Sequence, residues 1–247
     1  MKVLILAAGY GTRLSEVTTD TPKALLEVGG KPLIQHQCDT LKNDPSLTEV
    51  LVVTNEKFFG QFTAWRDHLS QYSVPVTVIN DGTTTSENRL GSIGDIQYAL
   101  QKHPVKEDLF VLGGDNLFDF SLTDFVRFAQ NHSPCVSIGV YDIQSRAEAG
   151  RFGVVSVDED AVITSFEEKP EDPASSLIAM CAYYFPTETL ERVPEYLAET
   201  KTHDRAGDYI RWLMSKDRVY AFRFDGTWYD IGSPESLREA REHFQNT

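Results

Sequence analysis

Two glycines, Gly9 and Gly11, stand one residue apart directly after the apolar run from Val3 to Ala8. Glycine tolerates positive φ and, lacking a Cβ, lets backbone N–H groups come close to phosphate oxygens. Thr12 and Arg13 come next, and a planar guanidinium suits phosphate oxygens. The chemistry in view is capture of a phosphorylated ligand. Residue type argues against two familiar phosphate loops. A dinucleotide fingerprint needs glycine where Leu14 stands, and a P-loop needs Gly-Lys-Ser/Thr at its end. Taken alone, Gly9-Tyr10-Gly11 reads equally well as a tight strand-to-helix turn.

Further candidates lie far along the chain. Asp115 closes Leu112-Gly113-Gly114-Asp115 after an apolar run. A carboxylate at a strand end suits Mg²⁺, which prefers oxygen ligands, and it suits an Asx-turn as well. Asp230 sits in Trp228-Tyr229-Asp230-Ile231-Gly232-Ser233-Pro234, where Ser233 reads as a helix N-cap and Pro234 as a first helical residue. Glu168-Lys169-Pro170 reads either as a binding turn or as a surface ion pair. The segment from Asn80 to Ser92 is polar, as a loop reading a base edge needs to be, and Ser92 also reads as a helix cap. Asp204 to Asp208 reads as a cap and lid element. Cys38, Cys135 and Cys181 are too dispersed for a disulfide framework or a zinc site. Cys181 has no basic neighbours in sequence and reads as a small pocket or core residue rather than a nucleophile.

Positioning these residues needs a sheet. The near-continuous apolar run from Val3 to Ala8 reads as a parallel strand covered on both faces. Further strands are expected from Val50 to Thr54, Val74 to Ile79 and Leu109 to Leu112. Helices between them are expected from Leu33 to Leu41, across the face Phe58, Phe62, Trp65 and Leu69, and around Ile93, Ile96 and Leu100. Lys31 and Pro32 are expected to open the first of these helices. The alternation implies a doubly wound α/β sheet with right-handed crossovers. In such sheets ligands bind outside the carboxyl ends of the strands, which selects the loops after Ala8, Ile79 and Leu112. The second half is richer in strands: Cys135 to Tyr141, Gly153 to Val157, Ile163 to Phe166, Ala179 to Phe185 and Val219 to Phe224. Helices are expected around Gly207 to Ser215 and from Pro234 to Phe244.

The 247 residues carry 23 basic and 37 acidic side chains, a formal charge of −14. That balance argues against a nucleic-acid partner, which usually meets a basic patch. The hydrophobic share of 41% is enough for a packed core. No stretch is long enough to span a bilayer, and the N-terminal apolar run is too short for a secretion signal. A soluble, cytoplasmic protein of one domain is expected.

The run from Leu6 to Ile34 includes Thr21-Pro22-Lys23-Ala24-Leu25-Leu26 and Gly29-Gly30-Lys31-Pro32-Leu33-Ile34. It resembles the signature of the nucleoside-diphosphate-sugar pyrophosphorylases, or sugar-1-phosphate nucleotidyltransferases. The resemblance extends to about Ala240. It implies one Rossmann-like, doubly wound domain on a mixed sheet. Residues to about 120 would bind the nucleotide, and a C-terminal portion from about 121 would bind the sugar. It implies that Leu6, Ala8, Gly9, Gly11, Thr12 and Arg13 surround the nucleotide, and that Asp81, Leu90, Gly91 and Ser92 contact it from the base side. Lys23 reaches the phosphates near the reacting centre. Asp115 and Asp230 hold Mg²⁺. Asn116, Gly153, Glu168, Lys169 and Tyr183 serve the sugar phosphate, with Gly153 letting backbone approach the sugar. Arg13, Lys23 and Lys169 stabilise charge as the acceptor phosphate attacks the α-phosphorus and pyrophosphate leaves. The partners are then a nucleoside triphosphate and a sugar 1-phosphate, and a homo-oligomer is compatible with all of this.

The chain departs from the pattern at Ala179-Met180-Cys181, where members often carry Asn or Thr and Gly. It also lacks a Gln-Pro pattern after Ile79. Base and acceptor are therefore open. Three alternatives stand beside the first reading. They are a cytidylyltransferase using an alcohol phosphate such as phosphocholine, a silent nucleotide-sensing homologue, and a nicotinamide-dependent dehydrogenase. Leu14 weighs against the last.

Overall fold

The computed structural model describes residues 1–14, 20–69, 72–200, 202 and 204–244, and of Arg13 only the backbone. The strands are β1 (Lys2–Leu6), β2 (Glu27–Val28), β3 (Lys31–Pro32), β4 (Glu49–Thr54), β5 (Val76–Asn80), β6 (Leu109–Gly113), β7 (Asn116–Phe118), β8 (Val136–Asp142), β9 (Gly153–Val157), β10 (Ile163–Glu168), β11 (Leu177–Phe185), β12 (Val219–Phe224) and β13 (Trp228–Asp230). The helices are α1 (Leu33–Leu41), α2 (Phe59–Asp67), α3 (Gly91–Lys102), α4 (Thr123–Asn131), α5 (Arg146–Ala149), α6 (Arg192–Thr200), α7 (Ala206–Met214) and α8 (Pro234–Phe244).

Among the described residues one nine-stranded sheet runs in the order β10-β9-β11-β6-β1-β4-β5, with β8 beside β11 and β12 beside β8. Strands β5, β4, β1 and β6 are parallel. The antiparallel pairing of β11 on β6 makes the sheet mixed. This is the Rossmann-like α/β sheet that the sequence implies. Its parallel strands are apolar on both faces because helices cover both. Val3 and Ile5 face one buried cluster with Ile34, Phe62 and Phe125, while Leu4 faces the other with Ile93 and Ile96. No helix among the described residues is long and apolar enough to cross a membrane.

The chain leaves β1 in one direction to β4 and β5, then returns to place β6 on the other side of β1. The gap above β1 and β6 is thus a topological switch point, where a crevice opens at the strand ends. Leu6 stands opposite Gly113, and the Gly114 N–H donates to the Leu6 carbonyl at 2.9 Å. The glycine loop and Asp115 therefore leave the sheet side by side.

Two local expectations need correction. Lys31 and Pro32 do not open the helix: they pair with Glu27 and Val28 as a short antiparallel strand. Pro32 is extended, with ψ 147°, and α1 begins at Leu33. Ser92 is not the cap of α3, because Leu90 precedes the helix and Ser92 already lies inside it. Helices α4 and α6 go beyond the sequence expectation. Helix α4 buries Phe125, Val126 and Ala129 on one face, and α6 buries Val193 and Tyr196.

Candidate active site

The glycine loop stays open above its backbone. Among the described residues nothing lies within 4 Å of where a Cβ on Gly9 would stand, and Gly11 takes φ +64°. Thr12 to Leu14 then form a single 3₁₀ turn. The Arg13 side chain lies outside the described residues. A small cleft of about 90 Å³ is lined by Leu6, Ala7, Gly9, Gly11, Lys23, Ala24, Gly114 and Asp115. Three distant sequence segments thus meet at the switch point. A larger cleft of about 690 Å³ lies elsewhere, over Val155, Ala221 and Phe222. Its lining carries Asp158, Glu159 and Arg223 but neither the glycine loop nor Lys23 and Asp115, so position at the switch point rather than size marks the site.

Lys23 comes from the 3₁₀ turn Lys23–Leu25, and its Nζ lies 3.2 Å from Asp115 Oδ2. The two side chains are 16% and 34% exposed. This places a cation and a carboxylate at the mouth of the glycine loop. Gly114 is required there, because a Cβ would stand 2.9 Å from the Leu6 carbonyl oxygen and 3.2 Å from the Ala24 side chain.

Asp230 arrives through a ladder the sequence does not announce. β13 pairs antiparallel with β7, setting Asp230 opposite Asn116, and the Ile231 N–H donates to the Asp115 carbonyl at 2.9 Å. The carboxylates of Asp115 and Asp230 both act on the same group, the Cys181 thiol. Desolvation first, and these two charges in addition, push that thiol up to about 12. Cys181 is therefore no nucleophile at neutral pH, as its sequence surroundings indicate. Among the described residues no cluster of three or more His, Cys, Asp or Glu is arranged to hold a metal by itself. Two carboxylates are hard oxygen donors of the kind Mg²⁺ uses when phosphates complete its shell. On that ground Asp115 and Asp230 fit such an ion.

Asn116 is buried and fully engaged. Its Oδ1 accepts from Trp228 Nε1 at 2.7 Å, while its Nδ2 donates to the Gly113 carbonyl at 3.3 Å and to Asp115 Oδ1 at 3.4 Å. The buried Gln37 Nε2 donates to the carbonyls of Gly113 and Asn116, each at 2.7 Å. Asn116 thus orients Asp115 from behind.

On the other flank, Glu168 ends β10 opposite Gly153 in β9. Gly153 is occupied by packing: a Cβ there would stand 2.4 Å from the Phe166 ring. The Phe166 ring accounts for this glycine without backbone contact to a sugar. Lys169 takes φ +49°, its N–H donates to the Phe152 carbonyl at 3.0 Å, and its Nζ stands 3.9 Å from Glu168 Oε1. The lysine side chain is 63% exposed and free to swing, whereas Glu168 is 17% exposed. Glu168 also packs against α7, since a Cβ on Gly207 would meet its Oε2 at 2.3 Å. Tyr183 is buried, and desolvation, with Cys181 and Glu168 in addition, holds its hydroxyl firmly protonated.

The loop after β5 is more ordered than a plain linker. Gly91 takes φ +78° as α3 begins. The Ser92 hydroxyl donates to the Asp204 carbonyl at 3.3 Å, and Arg89 holds the Asp204 carboxylate through two N–H donors at 3.2 and 2.9 Å. The segment before α7 therefore clasps the start of α3. Asp81 is buried, and its Oδ1 accepts from the Thr83 N–H at 2.7 Å and from the Thr83 hydroxyl at 2.8 Å. Its partner is a residue that sequence reasoning passes over, Asp95 in α3. Burial pushes the Asp95 carboxyl up to about 8, with Asp81 and Asp204 adding to the rise. The available signal was a lone acid between Ile93 and Ile96, flanking an apolar helical face.

A family model described as nucleotidyl transferase matches residues 2–247, so the chain belongs to the nucleotidyl transferase family. Within it, the chain is 31% identical over 238 residues to a mannose-1-phosphate guanylyltransferase catalytic subunit beta from Drosophila pseudoobscura pseudoobscura, covering 96% of this chain and 60% of that protein. It is 28% identical over 242 residues to a mannose-1-phosphate guanyltransferase from Pichia angusta, covering 96% of this chain and 62% of that one. The chain thus spans about three fifths of the length of these relatives. In fold it is similar to a UDP-glucose pyrophosphorylase solved with UDP-glucose, at TM-score 0.81 and 23% identity, covering 99% of this chain and 98% of that one.

Proposed function

We propose that the chain is a sugar-1-phosphate nucleotidyltransferase, joining the nucleotidyl group of a nucleoside triphosphate to a sugar 1-phosphate and releasing pyrophosphate. The observation that carries this reading is the meeting of Lys23, Asp115 and the open glycine loop at the switch point, with Lys23 Nζ 3.2 Å from the carboxylate. Nucleotidyl transfer needs in-line positioning and charge neutralisation more than covalent help. The acceptor phosphate is already ionised, so no general base is required. Gly9, Gly11 and Thr12 wrap the triphosphate, with Leu6 and Ala8 beneath it. Lys23 and Arg13 meet its charge, and Leu90, Gly91 and Ser92 border the base. Residues to about 120 hold the donor and those from about 121 hold the acceptor. Glu168 receives sugar hydroxyls, Lys169 reaches the sugar phosphate, and Tyr183 closes the wall behind. Asp115 and Asp230 hold Mg²⁺, which when bound would neutralise phosphate charge and help align the two substrates.

The names of the curated relatives support GTP with mannose 1-phosphate as the first pair to test. The experiment is a matrix of five nucleoside triphosphates against sugar 1-phosphates and phosphocholine, read by pyrophosphate release. Turnover with a sugar 1-phosphate is expected. Turnover confined to CTP and phosphocholine supports the alcohol-phosphate alternative instead. Triphosphate binding without any release supports a sensing role.

A further inference from the structure

We propose that Asp81 and Asp95 share one proton, and that this proton fastens the loop after β5 to helix α3 and so sets the affinity for the nucleoside triphosphate. The inference rests on the nucleotide reading above. Both residues are more than nine-tenths buried, at 6% and 7% exposure. Their carboxyls are in hydrogen-bond contact with one another. Ionised carboxylates only accept, so a bond between two of them needs a proton on one. Asp81 Oδ2 and Asp95 Oδ1 are closed to solvent and meet no N–H or hydroxyl donor among the described residues. A shared proton is what satisfies them.

The surroundings offer no other neutraliser among the described residues. The charges acting on Asp95 are Asp81 at the end of β5 and Asp204 ahead of α7, both acidic. Tyr10 of the glycine loop feels Asp81, Glu87 and Asp95. Arg89 is engaged by Asp204. Arg192 and Glu195 of α6 act on the Tyr209 hydroxyl of α7. Strands β1 and β4, which also pack on α3, contribute apolar side chains such as Leu4, Leu51 and Val53.

The pair reaches the triphosphate site through a continuous set of bonds. Asp81 holds the N–H and hydroxyl of Thr83. The Thr83 carbonyl accepts from the Glu56 N–H at 3.0 Å, and its Oγ1 stands 3.2 Å from the Tyr10 hydroxyl. Tyr10 lies between Gly9 and Gly11. Loss of the proton leaves two like charges in a dry site, where they repel strongly. The carboxyls part, Thr83 is released, and the glycine loop loses its tether to the base-side loop. Asp81 and Asp95 are positioning residues, since they act on the ligand through Thr83 and Tyr10.

The test is the pH dependence of KM and kcat for the triphosphate found active, between pH 6.5 and 9, in wild type and Asp95→Asn. Asparagine keeps a donor toward Asp81 at every pH. When only the protonated form binds, apparent affinity falls in proportion to its population. The wild-type KM is expected to rise about fivefold from pH 8 to 9, while kcat changes less than twofold. In Asp95→Asn the KM is expected to stay flat. A wild-type KM that does not rise, or a variant that rises in parallel, overturns the proposal. Urea midpoints across the same pH range give a second readout, independent of turnover. The folded protein keeps a proton that an ordinary carboxyl releases near 3.8, and gives it up near 8. Its extra stability is therefore complete below about pH 4 and is lost as pH rises to 8. Asp95→Asn should gain in midpoint over wild type across that rise. If no triphosphate is turned over, the nucleotidyltransferase reading fails. The pair is then judged on the midpoints, and parallel curves overturn it.

Discussion

Replacing Lys23 by methionine removes the ammonium while keeping most of the aliphatic stem. Lys23 Nζ lies 3.2 Å from Asp115 Oδ2, a separation worth about 5 kcal/mol of direct attraction at an effective dielectric of about 20. Asp115 is one-third exposed, so solvent screening reduces the ground-state pair to about 1 kcal/mol or less. The substitution should thus lower unfolding stability only slightly. Catalysis is a different matter. With substrates bound, water leaves the cleft, and charge shifts onto the leaving pyrophosphate. A single preorganised donor in that position is worth about 3–4 kcal/mol, or about 10²–10³ in kcat. Pyrophosphate release from Lys23→Met should therefore fall by about two to three orders of magnitude, with a urea midpoint close to wild type. A kcat within threefold of wild type would refute the assignment of Lys23. A folded-state collapse would show instead that the Asp115 pairing is structural.

The site makes further demands that separate its parts. Asp230→Asn should raise the Mg²⁺ concentration needed for half-maximal activity by about tenfold, and EDTA should abolish wild-type turnover; activity in EDTA would remove the metal from the scheme. Trp228→Phe deletes the Nε1 donor to the buried Asn116 Oδ1. Leaving that oxygen unpaired should cost about 1–3 kcal/mol by urea unfolding and reduce activity through misplacement of Asp115. An unchanged midpoint would mean that Asn116 finds another partner.

Much of this arrangement is legible in the residues themselves. The glycine pair marks a special backbone at the end of β1, because glycine takes positive φ without strain, and Gly11 does take φ +64°. The parallel strands declare themselves as apolar runs, since both their faces are buried. Gly153 is ambiguous in sequence, because the need for a missing Cβ has two physical causes. Here a packed aromatic ring supplies one of them, and the sequence holds nothing that tells the ring from a sugar. Helix α6 is hidden by Pro194 near its start, where a proline is tolerated because the first turn lacks intrahelical N–H bonds.

Residue types along the chain point to phosphate chemistry. Glycine, lysine and two aspartates stand in segments whose residue types suit a polyphosphate and a divalent ion. Periodicity also points to a doubly wound α/β sheet as their support, and the antiparallel pairing of β11 on β6 makes that sheet mixed. Which of these segments meet is a matter of the fold. Lys23 and Asp115 are 92 positions apart and come together because β6 returns to lie beside β1. Asp230 joins them through three residues of β13 paired on β7, a ladder too short to leave a pattern. The Asp81–Asp95 pair belongs wholly to the fold. Burial and proximity give two ordinary acids a shared proton, and neither quantity is written in the local sequence.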